Sequence, residues 1–246
     1  MIPEQLLLDR IIKPVPANSH VVPVSFPITS FGDPNTARVA TISINPSVNE
    51  FCLNTAAHPV LPHGKKRFVD REVLGLGESD VPNLDQARRI LESNHDYFQN
   101  HPYGWFNSLQ KWILDPLGAS YQDGSAVHLD LVQWATKPVW SQITDERTKH
   151  ALIKDDVEFL AAMLKLKNFE MLLLNGRTVY DSFSYHDLFV VEETHHLTSA
   201  GSKTTIWTGH AAGTPFVCWS RFLQAALKNE ERQEISDWVR RYMASR

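Results

Sequence analysis

Three short polar groupings in this chain carry side chains able to do chemistry: Asn45-Pro46-Ser47, Asp130, and Gly209-His210-Ala211-Ala212-Gly213. Each stands inside or at the end of an apolar run. A primary amide such as Asn45, held by a rigid proline, can orient a water or read a polar edge. A carboxylate such as Asp130 can accept from an exocyclic amine, and a histidine such as His210 can donate to developing negative charge. Each also has an ordinary reading: Asn-Pro ends strands, an acid inside a strand can bond a neighbouring loop, and a lone histidine is usually structural. His58, His63, His95, His101, His195 and His196 fall in that last class.

The runs around these residues supply the means of positioning them. Residues 37–44 alternate Val, Ala, Thr and Ile on both parities, as in a strand covered on both faces, and stop at Asn45. Ala126 to Val132 reads as a second strand with Asp130 inside it. Phe169 to Gly176 reads as a third, closed by Asn175-Gly176, and Thr204 to His210 as a fourth. Helical patterns lie between them: Asn83 with Gln86 opens one that runs to about Gln99, Thr144 opens another through Leu164, and short helices follow at 179–183 and 217–227. The alternation predicts an α/β fold, three layers α/β/α around a central, mostly parallel four-stranded sheet. In such sheets ligands bind beyond the carboxyl ends of the strands. Asn45, the turn after Asp130, Asn175-Gly176 and His210 are therefore expected at one edge.

A single domain over residues 1–246 is expected, with 1–23 as an N-terminal extension and 229–246 as a C-terminal helix. With 43% hydrophobic residues the chain can bury a core without staples. A net charge of −4 argues against an overall basic nucleic-acid coat but leaves room for a local basic rim, for which Lys65-Lys66-Arg67 is the candidate. Such a run is also common as a solvated surface. It sits in a long Pro-, Gly- and His-rich stretch, Cys52 to Pro82, which reads as a lid or binding loop. Two distant cysteines and the lack of HxH or HExxH spacing leave no disulfide framework or metal site to expect. With neither a signal peptide nor a membrane span in the pattern, a cytoplasmic monomer is expected.

Ile44-Asn45-Pro46-Ser47, Leu172-Leu173-Leu174-Asn175-Gly176 and Gly209-His210-Ala211-Ala212-Gly213, in that order, resemble the motif segments of the uracil-DNA glycosylase superfamily, in the branch that includes mismatch-specific and single-strand-selective enzymes. The resemblance spans roughly residues 24 to 228. Ser43 stands where the first motif usually begins with Gly, and Ala211 where the second often has Pro. The resemblance implies hydrolysis of a base–deoxyribose bond after the nucleotide is flipped out of DNA. Asn45 would hold the attacking water through its carbonyl, His210 would donate to the departing base, Phe51 would stack on that base, and Phe216 would wedge into the vacated stack. The absence of a nucleophilic lysine at a motif position implies a monofunctional enzyme that leaves an abasic site.

Two departures from the family pattern bear on the substrate. Asp130 aligns with an Asn that reads the pyrimidine edge, and a carboxylate accepts from the amine of cytosine but opposes the O4 of uracil. Ser47 stands where strict uracil enzymes place a bulky aromatic against pyrimidine C5, so a C5 substituent is admitted. Excision of ordinary cytosine would destroy the host genome, which directs the expectation to a C5-modified cytosine such as those of viral DNA, with Lys65, Lys66 and Arg67 reaching the modification or the phosphates. The alternatives are a repair glycosylase for uracil or damaged pyrimidines, a non-catalytic nucleic-acid-binding module on the same frame, and, least supported by spacing, a metal hydrolase using His128, His195, His196 and His210.

Overall fold

The computed structural model describes residues 1–17, 19–198, 201–225 and 227–245. Its helices are α1 (Glu4–Ile11), α2 (Arg71–Leu74), α3 (Leu84–His95), α4 (Asn107–Leu109), α5 (Glu146–Leu166), α6 (Arg177–Tyr185) and α7 (Asn229–Ala244). Its strands are β1 (Val39–Ser43), β2 (Ala126–Asp130), β3 (Met171–Asn175), β4 (Val190–His196), β5 (Thr205–Ala211) and β6 (Thr214–Trp219). The fold is α/β, with six strands where four are expected from the sequence. The chain packs as two compact units: one from 1–33, 44–103 and 129–162, the other from 34–43, 104–128 and 163–246.

The second unit holds the sheet, apart from the last two residues of β2. The strand order is β2-β1-β3-β6-β5-β4. β1 runs parallel to β3 and β3 parallel to β6, whereas β5 is antiparallel to both β6 and β4. β1, β2 and β3 are buried along their whole length, as their two-sided apolar patterns require. Of residues 217–227, expected as a helix, 217–219 instead end β6 and 220–225 form a loop. The run Thr214-Pro-Phe-Val-Cys-Trp219 is continuously apolar, so periodicity cannot separate a helix segment from a buried strand.

The first unit packs α1, α3 and most of α5 with the stretch from Ile44 to Tyr103. Asn83 and Gln86 form the expected capping box of α3, with reciprocal side-chain to backbone bonds of 3.0 Å. At α5 the cap is Asp145, not Thr144: its carboxylate accepts from Arg147 N at 3.0 Å and from Thr148 Oγ1 at 2.8 Å. The 52–82 stretch is pinned rather than structureless. Leu53 and Leu61 bond back to Pro59 and Phe51, and Asp70 caps α2. Arg71 donates to the carbonyls of Ser25, Gly77 and Asp80.

Candidate active site

Two residues beyond the end of β1, Asn45 is half-buried and its amide nitrogen is fully committed. Nδ2 donates to Pro46 O at 3.1 Å, to Trp134 O at 3.3 Å and to the buried Thr136 Oγ1 at 3.1 Å. Carbonyl oxygens can only accept, so the amide has one orientation, and Oδ1 takes no bond from any described residue. What the side chain presents is a fixed carbonyl acceptor. Such a group orients a water by accepting a hydrogen bond from it but is too weakly basic to remove its proton.

The turn that anchors Asn45 is itself built on a buried polar network. Gln133 Nε2 donates to the carbonyls of Asp130 and Leu131, its Oε1 accepts from Arg10 Nε, and its backbone N donates to Asp156 Oδ2. Arg10 and Asp156 form a buried ion pair. Burial dominates both partners: it pushes Asp156 up to about 6 despite Arg10, and lowers Arg10 from its usual value. Asp130 closes β2, is 4% exposed, and belongs to this same turn. Gln133, Trp134 and Thr136 carry no chemical signal in the sequence, because Trp134 acts through its backbone carbonyl, and the Asn45 that Trp134 and Thr136 anchor lies 89 and 91 residues away.

The residues after Pro46 form a second cluster. Ser47 caps a single 3₁₀ turn, Val48–Glu50, its Oγ accepting from Asn49 N at 3.2 Å. Phe51 is buried and stacks at 5.6 Å on Phe68, which stacks at 4.9 Å on Tyr97. One face of Phe51 is therefore taken by protein. Glu50, which the sequence does not mark, is 3% exposed; its Oε2 accepts from Tyr97 Oη at 2.7 Å, and Tyr97 Oη in turn accepts from Tyr103 N. Burial pushes the Glu50 carboxyl up to about 8 against the pull of Tyr97 and Arg67, with nearby Asp130 adding to the rise.

The basic run divides. Lys65 is exposed. Lys66, expected to reach DNA, is instead ion-paired with buried Asp70 and with Glu72; burial opposes its charge, but these bonds outweigh burial and raise its pKa. Arg67 turns inward, donating to Asn49 O at 2.8 Å with its guanidinium 5.4 Å from the Tyr103 ring.

In the sheet unit, two expectations are corrected. Asn175 ends β3 opposite Trp219, the last residue of β6, whereas His210 pairs with Pro215 near the start of β6. His210 therefore stands at the sheet edge opposite the one where β1 and β3 end. The reason lies in its flanking residues: Ala212 and Gly213 have φ of 50° and 82°, the pair of positive values a two-residue hairpin turn demands, so the chain reverses there into β6. Gly209 is needed for strand approach, since a Cβ there would lie 1.9 Å from Val190 O. His210 Nδ1 is 2.9 Å from Glu192 Oε1. Phe216, expected as a wedge, is fully buried in β6 and stacks at 5.0 Å on Phe189.

Asn175 is a structural hub. Oδ1 accepts from Trp219 Nε1 at 2.8 Å and Leu223 N at 3.2 Å, while Nδ2 donates to Gln224 Oε1 at 3.1 Å and Ser43 Oγ at 3.4 Å. Gly176 has φ 109°, and an added Cβ would meet the Phe222 ring at 2.7 Å. The Asn-Gly pair thus seats the loop that follows β6.

His128 bonds Thr41 in the core, and His195, His196 and His210 bond Glu193, Thr205 and Glu192. Among the described residues no group of three or more His, Cys, Asp or Glu could hold a metal ion, and no helix is long and apolar enough to cross a membrane. No protein-family model matches the chain, and no curated protein sequence matches it.

Proposed function

We propose that the protein is a monofunctional DNA glycosylase acting in the cytoplasm on a flipped-out pyrimidine, with C5-modified cytosine, such as that of viral DNA, as its substrate class. The observation that carries this reading is the one-sided anchoring of Asn45, which leaves a fixed, half-buried Oδ1 as the acceptor for a water. In the proposed reaction the C1′–N1 bond breaks with its electron pair leaving on the base, positive charge develops on the sugar, and the water held by Asn45 attacks C1′. The water gives up one proton to solvent as its oxygen bonds C1′, and the departing base anion takes up one proton from solvent, so the products are the abasic sugar and the neutral base. Asp130, at the end of β2 in the same unit, would accept from the N4 amine of cytosine, and Ser47 is small enough to leave space at C5. His210 and Phe216 have no part in this mechanism.

A second reading, a nucleic-acid-binding module without chemistry, is favoured by one observation: the displacement of His210 from the edge where β1 and β3 end removes the expected donor to the leaving base. Incubation with oligonucleotides bearing uracil, cytosine or C5-modified cytosines separates the two readings. The glycosylase releases base and leaves abasic sites on modified-cytosine strands; the module leaves every strand intact.

A further inference from the structure

Two buried polar atoms on the loop after Asn45 lack a hydrogen-bond partner among the described residues: the acceptor Asn49 Oδ1 and the donor Arg67 Nε. Orphaned buried groups are rare and costly, and a donor and an acceptor orphaned in one cluster call for a ligand that offers the complementary pair. The two side chains are tied together. Arg67 Nη1 donates to Asn49 O at 2.8 Å, Asn49 Nδ2 donates to Tyr103 Oη at 3.1 Å, and the Arg67 guanidinium lies 5.4 Å from the centre of the Tyr103 ring. Each remaining polar atom of the Asn49 amide and backbone is used, so Oδ1 is held in place by the bond that Nδ2 makes.

We propose that Asn49 and Arg67 form a base-edge reading pair, Nε–H donating to the ring nitrogen N3 of a cytosine and Oδ1 accepting from its N4 amine. This deepens the glycosylase reading and rests on it: it names a second reader of the pyrimidine edge, on the loop that begins at Asn45, and gives Arg67 a role distinct from the phosphate contact suggested by its lysine neighbours. A side-chain carbonyl oxygen can accept from an exocyclic amine and a guanidinium N–H can donate to a ring nitrogen, so the two atoms match the donor and acceptor of the cytosine edge.

Glu50 Oε2 is 3.9 Å from Arg67 Nε, beyond hydrogen-bond reach, and its other close partner is the Tyr97 hydroxyl. Burial pushes the Glu50 carboxyl up to about 8, which weakens its hold on the guanidinium 3.9 Å away. The titratable and charged groups facing Glu50 are Tyr97, Arg67 and Asp130.

The test uses free cytosine as the probe, so that binding is read without catalysis. In protein labelled with ¹⁵N at arginine, added cytosine is expected to shift the Arg67 Nε–H resonance. Asn49→Ser and Arg67→Lys are each expected to weaken cytosine binding by about ten- to a hundredfold, the range of a bidentate base contact. If a variant fails to fold, the wild-type Nε–H shift still decides. An unmoved Nε–H signal at saturating cytosine, the absence of any cytosine binding, or wild-type affinity in both folded variants overturns the proposal. Cytosine binding with the expected shift, but without abasic product from any oligonucleotide, sinks the glycosylase reading and leaves the reading pair standing.

Discussion

Asn45 Nδ2 lies 3.1 Å from Thr136 Oγ1, and Thr136 is wholly buried, so a residue 91 positions away sets which face of the Asn45 amide is left to accept a hydrogen bond. Together with the carbonyls of Pro46 and Trp134 it makes the orientation obligatory rather than one of two.

If that orientation matters, Asn45→Ala should lower the rate of base release by about a hundredfold or more, the usual range for a group handling the reacting water, with little change in DNA affinity. Thr136→Val removes one of three anchors and should lower kcat by roughly tenfold at unchanged KM. Single-turnover kinetics on a modified-cytosine oligonucleotide check both; a Thr136→Val effect confined to KM would contradict the positioning role.

His210→Ala should leave base release within about twofold of wild type, because His210 stands at the edge opposite the end of β3. The lost contact to Glu192 is half-exposed, and its contribution to stability should be below about 1 kcal/mol. A hundredfold loss of rate would return His210 to the mechanism.

Phe216→Ala should act on stability rather than on DNA affinity. The ring is fully buried against Phe189, and truncation of a buried phenylalanine costs about 3–5 kcal/mol. Denaturant unfolding of the variant, set beside DNA binding of its folded fraction, checks this; reduced DNA affinity at wild-type stability would restore the wedge.

Glu50 gives the protein a pH dependence with a definite sign. Its folded pKa, about 8, lies above the ordinary value of 4.5, so between those pH values the native state holds more protons than the unfolded one. Its stabilisation is complete below about pH 4.5 and is lost as pH rises through 8, an effect on the order of 5 kcal/mol at its upper limit. Glu50→Gln keeps an acceptor for Tyr97 and removes the titration. Thermal melts from pH 5 to 9 should show wild-type stability falling with pH and a flatter profile for the variant; parallel profiles would contradict the neutral buried acid.

Much of the frame is legible in the sequence where local rules decide. The two-sided apolar run 39–44 ends as a strand just before Asn45, and the Asn83–Gln86 box opens α3, since both depend on neighbours a few residues away. The antiparallel extension β4-β5-β6 is not legible. Ala212-Gly213 is an atypical hairpin turn, and β6 is apolar on both parities. The same blindness put His210 at the wrong edge, because an antiparallel strand delivers its end to the opposite side. Glu50 and Gln133 stayed hidden for another reason: an acid or amide becomes informative only when burial and distant partners are known.

The most direct measurement is base release from a set of matched oligonucleotides bearing uracil, cytosine, 5-methylcytosine or 5-hydroxymethylcytosine at one position, with wild type and Asn45→Ala run side by side. The account predicts abasic sites on strands with C5-modified cytosine, none on ordinary cytosine, and loss of the product in Asn45→Ala. Cleavage of uracil alone, or product that survives Asn45→Ala undiminished, would contradict it.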